Sequence, residues 1–262
     1  MNLLVACATG LLAGSHIATW GMYKDAPHEG FELHKYLRSI VLAAAIAPVL
    51  VLAGMTVQGS GGLVLLFAVT YAIERALGEF YKTFLRDEDQ SKYTIPMQLA
   101  VRGRLVHSRR VRLQAGMAVA GVAGALLSTV AVLDGHYADA SLLQVLSVGS
   151  MGGWFSAFGG AWKDAPHEGF QALKFFRSPL LAAGYALALS AFTSSFVLAG
   201  AGGLGLTIAT LETWKTFFFP SKPRGKFAGK PIAYPAMLIL RQRFIPLYAG
   251  IWLLLLIGYL AG

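Results

Sequence analysis

Eight apolar blocks divide the chain, at roughly 3–22, 39–58, 62–81, 113–133, 142–161, 179–199, 202–219 and 244–261. A helix needs about 20 residues to cross a hydrocarbon core of about 30 Å, and each block is near that length. Barrel strands alternate in polarity and are about half as long, so helices fit the blocks and strands do not. Only 13% of residues are charged and 56% are hydrophobic. A soluble domain carries about twice that charge. The composition predicts an all-α polytopic membrane protein.

The placement of charge sets the orientation. The formal net charge is +9, and of 22 Lys and Arg, all but Arg75 fall in four segments, 23–38, 82–112, 163–177 and 215–243. If each block crosses once, these segments share one side. Basic segments resist translocation and stay cytoplasmic. Both termini then face the non-cytoplasmic side of a plasma membrane, the bacterial inner membrane being the default placement. Anionic lipid headgroups account for the basic charge, so no nucleic-acid partner is expected. The only cysteine is Cys7, which excludes an intrachain disulfide. The first block reads as a retained helix and not a cleaved signal.

The octapeptide Lys-Asp-Ala-Pro-His-Glu-Gly-Phe occurs twice, at 24–31 and 163–170, an offset of 139. At that offset Lys35 pairs with Lys174, Arg38 with Arg177, Ser39 with Ser178, Arg102 with Arg241 and Arg104 with Arg243. With a small length change, Glu79 and Lys82 pair with Glu212 and Lys215. The unit contains four crossings, so its two copies point the same way. The expected fold is eight transmembrane helices in two parallel four-helix repeats, 1–135 and 136–262. A pseudo-two-fold axis along the membrane normal would relate them, as in parallel-repeat transporters. Short interfacial helices are expected on the cytoplasmic side. Gly10 and Gly14, with Gly149 and Gly153, form small-residue pairs that let helices approach closely, which suggests that the first and fifth helices flank the axis. Trp20, Trp162 and Trp214 read as an interfacial aromatic belt. Segment 96–112 reads as an interfacial or shallow re-entrant helix.

The repeated motif carries most of the candidate chemistry. Asp25 is placed to cap a new helix after a break near 20–23, and Pro27 is tolerated in a first turn. Leu33, Tyr36, Leu37 and Ile40 give that surface helix an apolar face. Asp25, His28 and Glu29 share one face, as do Asp164, His167 and Glu168. Each triplet is a candidate set of divalent-metal or proton-relay groups. Lys24, Lys163, Glu79, Lys82, Glu212 and Lys215 complete the candidate substrate or ion site. Lys35, Arg38, Lys174, Arg177, Arg102, Arg104, Arg241 and Arg243 are candidate anion or headgroup ligands, because guanidinium binds planar anions bidentately. Glu74 and Arg75 lie deep in a span, where charge is costly unless it faces the protein interior. His16 reads as a packed, hydrogen-bonded histidine.

Three functions remain open on the sequence. One is a transporter or channel for a small ion or an anionic, phosphorylated solute, with the two motifs meeting about one axis. The second is an intramembrane enzyme acting on a lipid-linked phosphate with a divalent metal. The third is a structural or assembly subunit. A homo-oligomer fits any of them. Walker, Rossmann, zincin and nucleophile-elbow motifs are absent from the sequence.

Overall fold

The computed structural model describes residues 2–219 and 223–262, and only the backbone of residues 163, 164 and 166–168. Among the described residues the architecture is helical: α1 (Leu3–Glu29), α2 (Leu33–Leu52), α3 (Gly59–Phe80), α4 (Arg109–Leu133), α5 (Leu142–Glu168), α6 (Ala172–Leu189), α7 (Phe196–Phe217), α8 (Pro235–Gln242) and α9 (Ile245–Leu260). The exception is a two-residue hairpin, β1 (Ala100–Val101) with β2 (Arg104–Leu105). Of the described helices, α1, α2, α7 and the stretch 109–139 built on α4 are long and apolar enough to cross a membrane. The pair α8 and α9, bent by 40°, makes a fifth if it is one broken span. Among the described residues α3, α5 and α6 are not among these candidates. α3 carries Glu74, Arg75 and Glu79, α6 carries Lys174 and Arg177 in 18 residues, and α9 alone has 16 residues.

α3 forms the centre of the bundle. Its Leu65, Phe67, Ala68 and Tyr71 are buried in one core with Ile17 and Trp20 of α1, Leu206 and Ala209 of α7, and Tyr248 and Ile251 of α9. α3 meets α7 at a near backbone contact, where a Cβ added at Gly205 would lie 2.0 Å from the Ala68 carbonyl oxygen. The Gly10/Gly14 and Gly149/Gly153 pairs do a different job from the one expected. Gly10 and Gly14 seat α1 on Ala43 and Ile40 of α2, and Gly149 and Gly153 seat α5 on Ala186 and Pro179 of α6. Small residues thus join neighbours in sequence, while α3 and α7 make the central contact.

The helix break also lies elsewhere than the sequence suggested. α1 runs unbroken through Asp25 and Pro27, so Asp25 caps nothing. Pro27 lacks an N–H, but it sits in the last turn, where a missing bond costs little. The chain leaves the helix at Gly30, with φ 84° and its N–H bonded to the Ala26 carbonyl. That backbone geometry favours glycine. Gly169 ends α5 in the same way, with φ 78°. The amphipathic stretch after the motif is no separate surface helix, because Leu33–Leu52 is one helix. Segment 96–112 is a hairpin followed by the start of α4, turned by Arg102 (φ 50°) and Gly103 (φ 77°). Trp20 is buried, whereas Trp162 and Trp214 are exposed as a belt requires.

A buried polar chain fixes α1 against α3, α7 and α9. Trp20 Nε1 donates to Tyr71 Oη at 2.6 Å, Tyr71 Oη lies 3.0 Å from His16 Nδ1, and His16 Nε2 lies 3.2 Å from Thr213 Oγ1. Thr213 Oγ1 donates to the Ala209 carbonyl and also accepts from Trp252 Nε1 at 3.3 Å. Counting donors leaves one consistent arrangement. Tyr71 donates to Nδ1 of a neutral His16, whose Nε2–H donates to Thr213. His16 is the packed, hydrogen-bonded histidine that the sequence suggested.

Candidate functional site

The charged ends of α1, α2, α3 and α7 line a cavity of about 640 Å³ that continues between α4, α5 and α7. At its polar end stand Lys24, Lys35, Arg38, Arg75, Lys82, Arg86, Lys215 and Lys226, with Asp25, Glu29, Glu32, Glu79 and Glu212. Among the described residues, cations exceed carboxylates there, eight to five. A smaller void of about 70 Å³ adjoins it, sharing Ser156, Gly160, Ile208, Glu212 and Lys215, and is lined by Lys174, Arg177 and Ser178 of α6. These three are the offset-139 partners of Lys35, Arg38 and Ser39.

Carboxylates hold most of the polar end in place. Lys24 Nζ bonds Glu212 Oε2 at 2.9 Å, and Lys215 Nζ reaches Glu212 Oε1 at 3.2 Å. Lys82 Nζ lies 2.6 Å from Glu79 Oε1, which also pairs with Arg75. Arg75 further stacks over Trp20, 5.0 Å from the ring centroid, and faces Glu74 at 3.6 Å. The two deep charges face each other inside the bundle, as their insertion cost requires, while Arg75 gives its hydrogen bond to Glu79 and Glu74 Oε2 has no hydrogen-bond partner among the described residues. Lys35 pairs with Glu32 and lies 5.0 Å over the Tyr93 ring. Arg38 differs, because among the described residues no hydrogen bond or ion pair engages it. Arg177 Nε is likewise buried without a hydrogen-bond partner. Among the described cavity residues, Arg38 is thus the cation that carboxylates leave unpaired, whereas Arg177 feels the Glu212 charge.

The first motif is anchored by distant loops. His28 Nδ1 lies 2.6 Å from the Pro231 carbonyl and its ring stacks on Phe227 at 4.2 Å. Glu29 Oε1 accepts from the Thr94 amide at 3.1 Å, the Pro27 carbonyl accepts from the Tyr234 amide, and Asp25 lies 3.4 Å from Lys226 Nζ. Asp25 and Glu29 line the cavity, while His28 is buried behind it. The expected metal set Asp25, His28 and Glu29 does not form. Among the described residues no three His, Cys, Asp or Glu side chains converge as metal ligands, because His28 and Glu29 turn to backbone partners. The side chains of Lys163, Asp164, His167 and Glu168 lie outside the described residues.

The Arg-x-Arg pairs depart from the expected anion floor. Arg102 and Arg104 are exposed on the hairpin, and Arg243 is exposed after α8. Arg241 is buried and donates to the Phe219 carbonyl at 2.7 Å. None of the four lines either void. A hairpin on one side and a helix on the other remove the equivalence that spacing implied.

Sequence reading missed Lys226, Arg86, Tyr93 and Trp20 as cavity residues. Lys226 has no basic counterpart at the repeat offset, where Asp87 stands. It comes to Asp25 through a 3-10 turn at Gly225–Phe227 packed against the first motif. Arg86 stacks on Tyr93 at 4.6 Å and donates to its hydroxyl at 3.1 Å within an ordered loop. Comparison with protein-family models, curated proteins and solved structures finds no match for the chain.

Proposed function

We propose that this chain is a membrane carrier for an anionic, phosphate-bearing substrate, bound where its two halves meet. The observation that carries the reading is one cavity whose charged end draws Lys24 and Arg38 from the first half and Glu212 and Lys215 from the second. Lys24 and Glu212 are joined directly across that boundary. A carrier built this way rocks one half against the other around a shared site, as parallel-repeat transporters do.

The reading includes eight crossings in two like-oriented repeats, 1–135 and 136–262, with a pseudo-two-fold axis along the membrane normal. Element bounds support it. α1 and α5 start and end 139 residues apart, α2 and α6 start 139 apart, and α3 and α7 start and end 137 apart. α8 with α9 then serves as the bent counterpart of the hairpin and α4. Both termini lie on the non-cytoplasmic side, with basic loops on the cytoplasmic face of a plasma membrane. Transport is preferred over catalysis because the carboxylates at the site are engaged with cations or backbone amides. A general base needs a carboxylate free to take a proton.

The test is transfer of phosphate-bearing probes across phosphatidylcholine vesicles containing the purified protein. The panel is orthophosphate, glycerol 3-phosphate and a fluorescent isoprenyl monophosphate. Protein-dependent transfer of at least one, reduced in Arg38→Gln, supports the carrier. Absence of transfer for all three, with the protein folded and inserted, overturns it.

A further inference from the structure

Resting on the carrier reading, we infer that the substrate is an amphiphile: a phosphate monoester head at the Arg38 end, and a single isoprenoid or acyl chain along the wall beneath α4. The length of the cavity is the first ground. It is lined along α7 from Lys215 to Phe196. At 1.5 Å per residue that is about 28 Å, nearly the thickness of a hydrocarbon core. A free phosphate or a small sugar phosphate needs only the polar end.

The chemistry of the wall is the second ground. Away from the charged end the lining is apolar, with Leu126 and Val130 on α4, Met151 and Phe155 on α5, and Val197 and Leu204 on α7. A polar solute moving along such a wall would lose its hydration without compensation. A hydrocarbon chain would fill it favourably.

Access is the third ground. Leu127 of α4 and Phe155 of α5 both line the cavity, yet each is more than half exposed. The void therefore opens sideways between these helices, toward what is lipid in a membrane. α4 is held toward its ends, where Gly116 packs on Phe84 and Val130 is buried with Val145 and Phe196, and is open in its middle turns. Arg112 binds Asp87 at 2.8 Å, and Asp134 accepts from Ser195 Oγ at 2.7 Å and from the Phe196 amide at 2.6 Å. Between these anchors a Cβ at Gly121 or Gly124 would meet nothing within 4 Å. Its sequence partner α9 is instead packed tightly, with Tyr248 Oη donating to the His16 carbonyl and Ile251 buried. One half thus sets its outer helix on the central core and the other leaves the void open beside its own.

The head is specified by charge. Among the described residues, the polar end has three more cations than carboxylates. A phosphate monoester near neutral pH carries roughly −1.5 to −2 charges and suits a guanidinium fork better than a zwitterionic headgroup does.

The experiment uses the full chain in phosphatidylcholine nanodiscs and vesicles, with isoprenyl monophosphate, the matching isoprenyl alcohol and orthophosphate as probes. Isoprenyl monophosphate should bind, by native mass spectrometry and thermal shift, and should cross the bilayer. The alcohol and orthophosphate should do neither at equal concentration. Arg38→Gln should weaken binding by about tenfold or more, the loss expected for a charge-assisted hydrogen bond. Gly200→Leu should block the tail, because Gly200 lines the void and a Cβ there makes only ordinary contact, 3.8 Å from the Val148 carbonyl oxygen. If orthophosphate or glycerol 3-phosphate is carried as well as the isoprenyl compound, and Gly200→Leu changes nothing, the amphiphile inference falls and the carrier stands. Equal binding of the alcohol and the monophosphate makes the void an ordinary lipid groove and also overturns it. Failure of every phosphate probe to bind or move ends both readings.

Discussion

Lys24 Nζ donates to the Glu212 carboxylate at 2.9 Å, joining the first motif to a helix 188 residues away. Both side chains are largely buried, at 15% and 12% exposure, and Lys215 shares the same carboxylate. The arrangement is asymmetric in its consequences. Glu212→Gln removes the charge that two buried ammonium groups share and should cost about 3 kcal/mol, the usual penalty for breaking a buried pair. Lys24→Met leaves Glu212 paired with Lys215 and should cost about 1 kcal/mol, a single hydrogen bond's worth. Thermal unfolding in one detergent ranks the variants, and equal losses would refute the shared-carboxylate account.

Tyr71 sits between two groups that have no substitute partner. Its hydroxyl accepts from Trp20 Nε1 and donates to His16 Nδ1, all inside the core. Tyr71→Phe keeps the ring's packing and orphans both nitrogens. The expected loss is about 2–4 kcal/mol, since each buried unsatisfied group costs about 1–3. Trp20 also lines the cavity, so its fluorescence should shift with the same substitution. Unchanged emission and stability would mean that the polar chain is not formed.

Glycine tolerance should separate the central helix contact from the periphery. At Gly205 a Cβ would lie 2.0 Å from the Ala68 carbonyl, a backbone atom that cannot swing away. Gly205→Ala should push α7 off α3 and cost at least the roughly 1–3 kcal/mol of an overpacked core. Gly184→Ala is the control, because a Cβ there meets nothing within 4 Å. Comparable melting points for the two variants would place the α3–α7 contact elsewhere.

The helical class and the membrane-length helices were legible because hydrocarbon thickness and helix rise leave little freedom in block length. The matched arginines Arg38 and Arg177 were legible from self-comparison alone. Boundaries were not. Proline was read as a start signal for a new helix after Tyr23, but Gly30 sets the stop, since its positive φ outweighs a proline in a last turn. The Gly pairs were legible as close-contact signals but silent on the partner, because spacing describes one helix face and not what covers it. Lys226 was hidden for another reason. Its contact with Asp25 spans 201 residues of chain and depends on a loop fold that no periodicity encodes.

The loop after α3, at the charged end of the cavity, carries an acid-sensitive contact. Glu88 accepts from Tyr93 Oη at 2.6 Å and from Lys92, and Arg86 Nε stands 2.8 Å away. Partial burial alone would raise the Glu88 carboxyl, but the bonds from Lys92 and Tyr93 and the Arg86 charge outweigh it and hold it below its ordinary value. A group depressed in the folded state contributes stability above its unfolded pKa and loses it as pH falls through the folded one. Amide protection over 86–98, taken relative to the intrinsic exchange rate at each pH, should therefore be high at neutral pH and fall once pH drops below the ordinary carboxylate range. Asp89, held low by its bonds from Ser91, adds a second acid-labile contact. In Glu88→Gln the neutral-pH protection should drop and a residual acid step should survive through Asp89. Glu88→Gln with Asp89→Asn should abolish the step. A full acid response in that double variant would show that the loop's pH sensitivity arises from other groups.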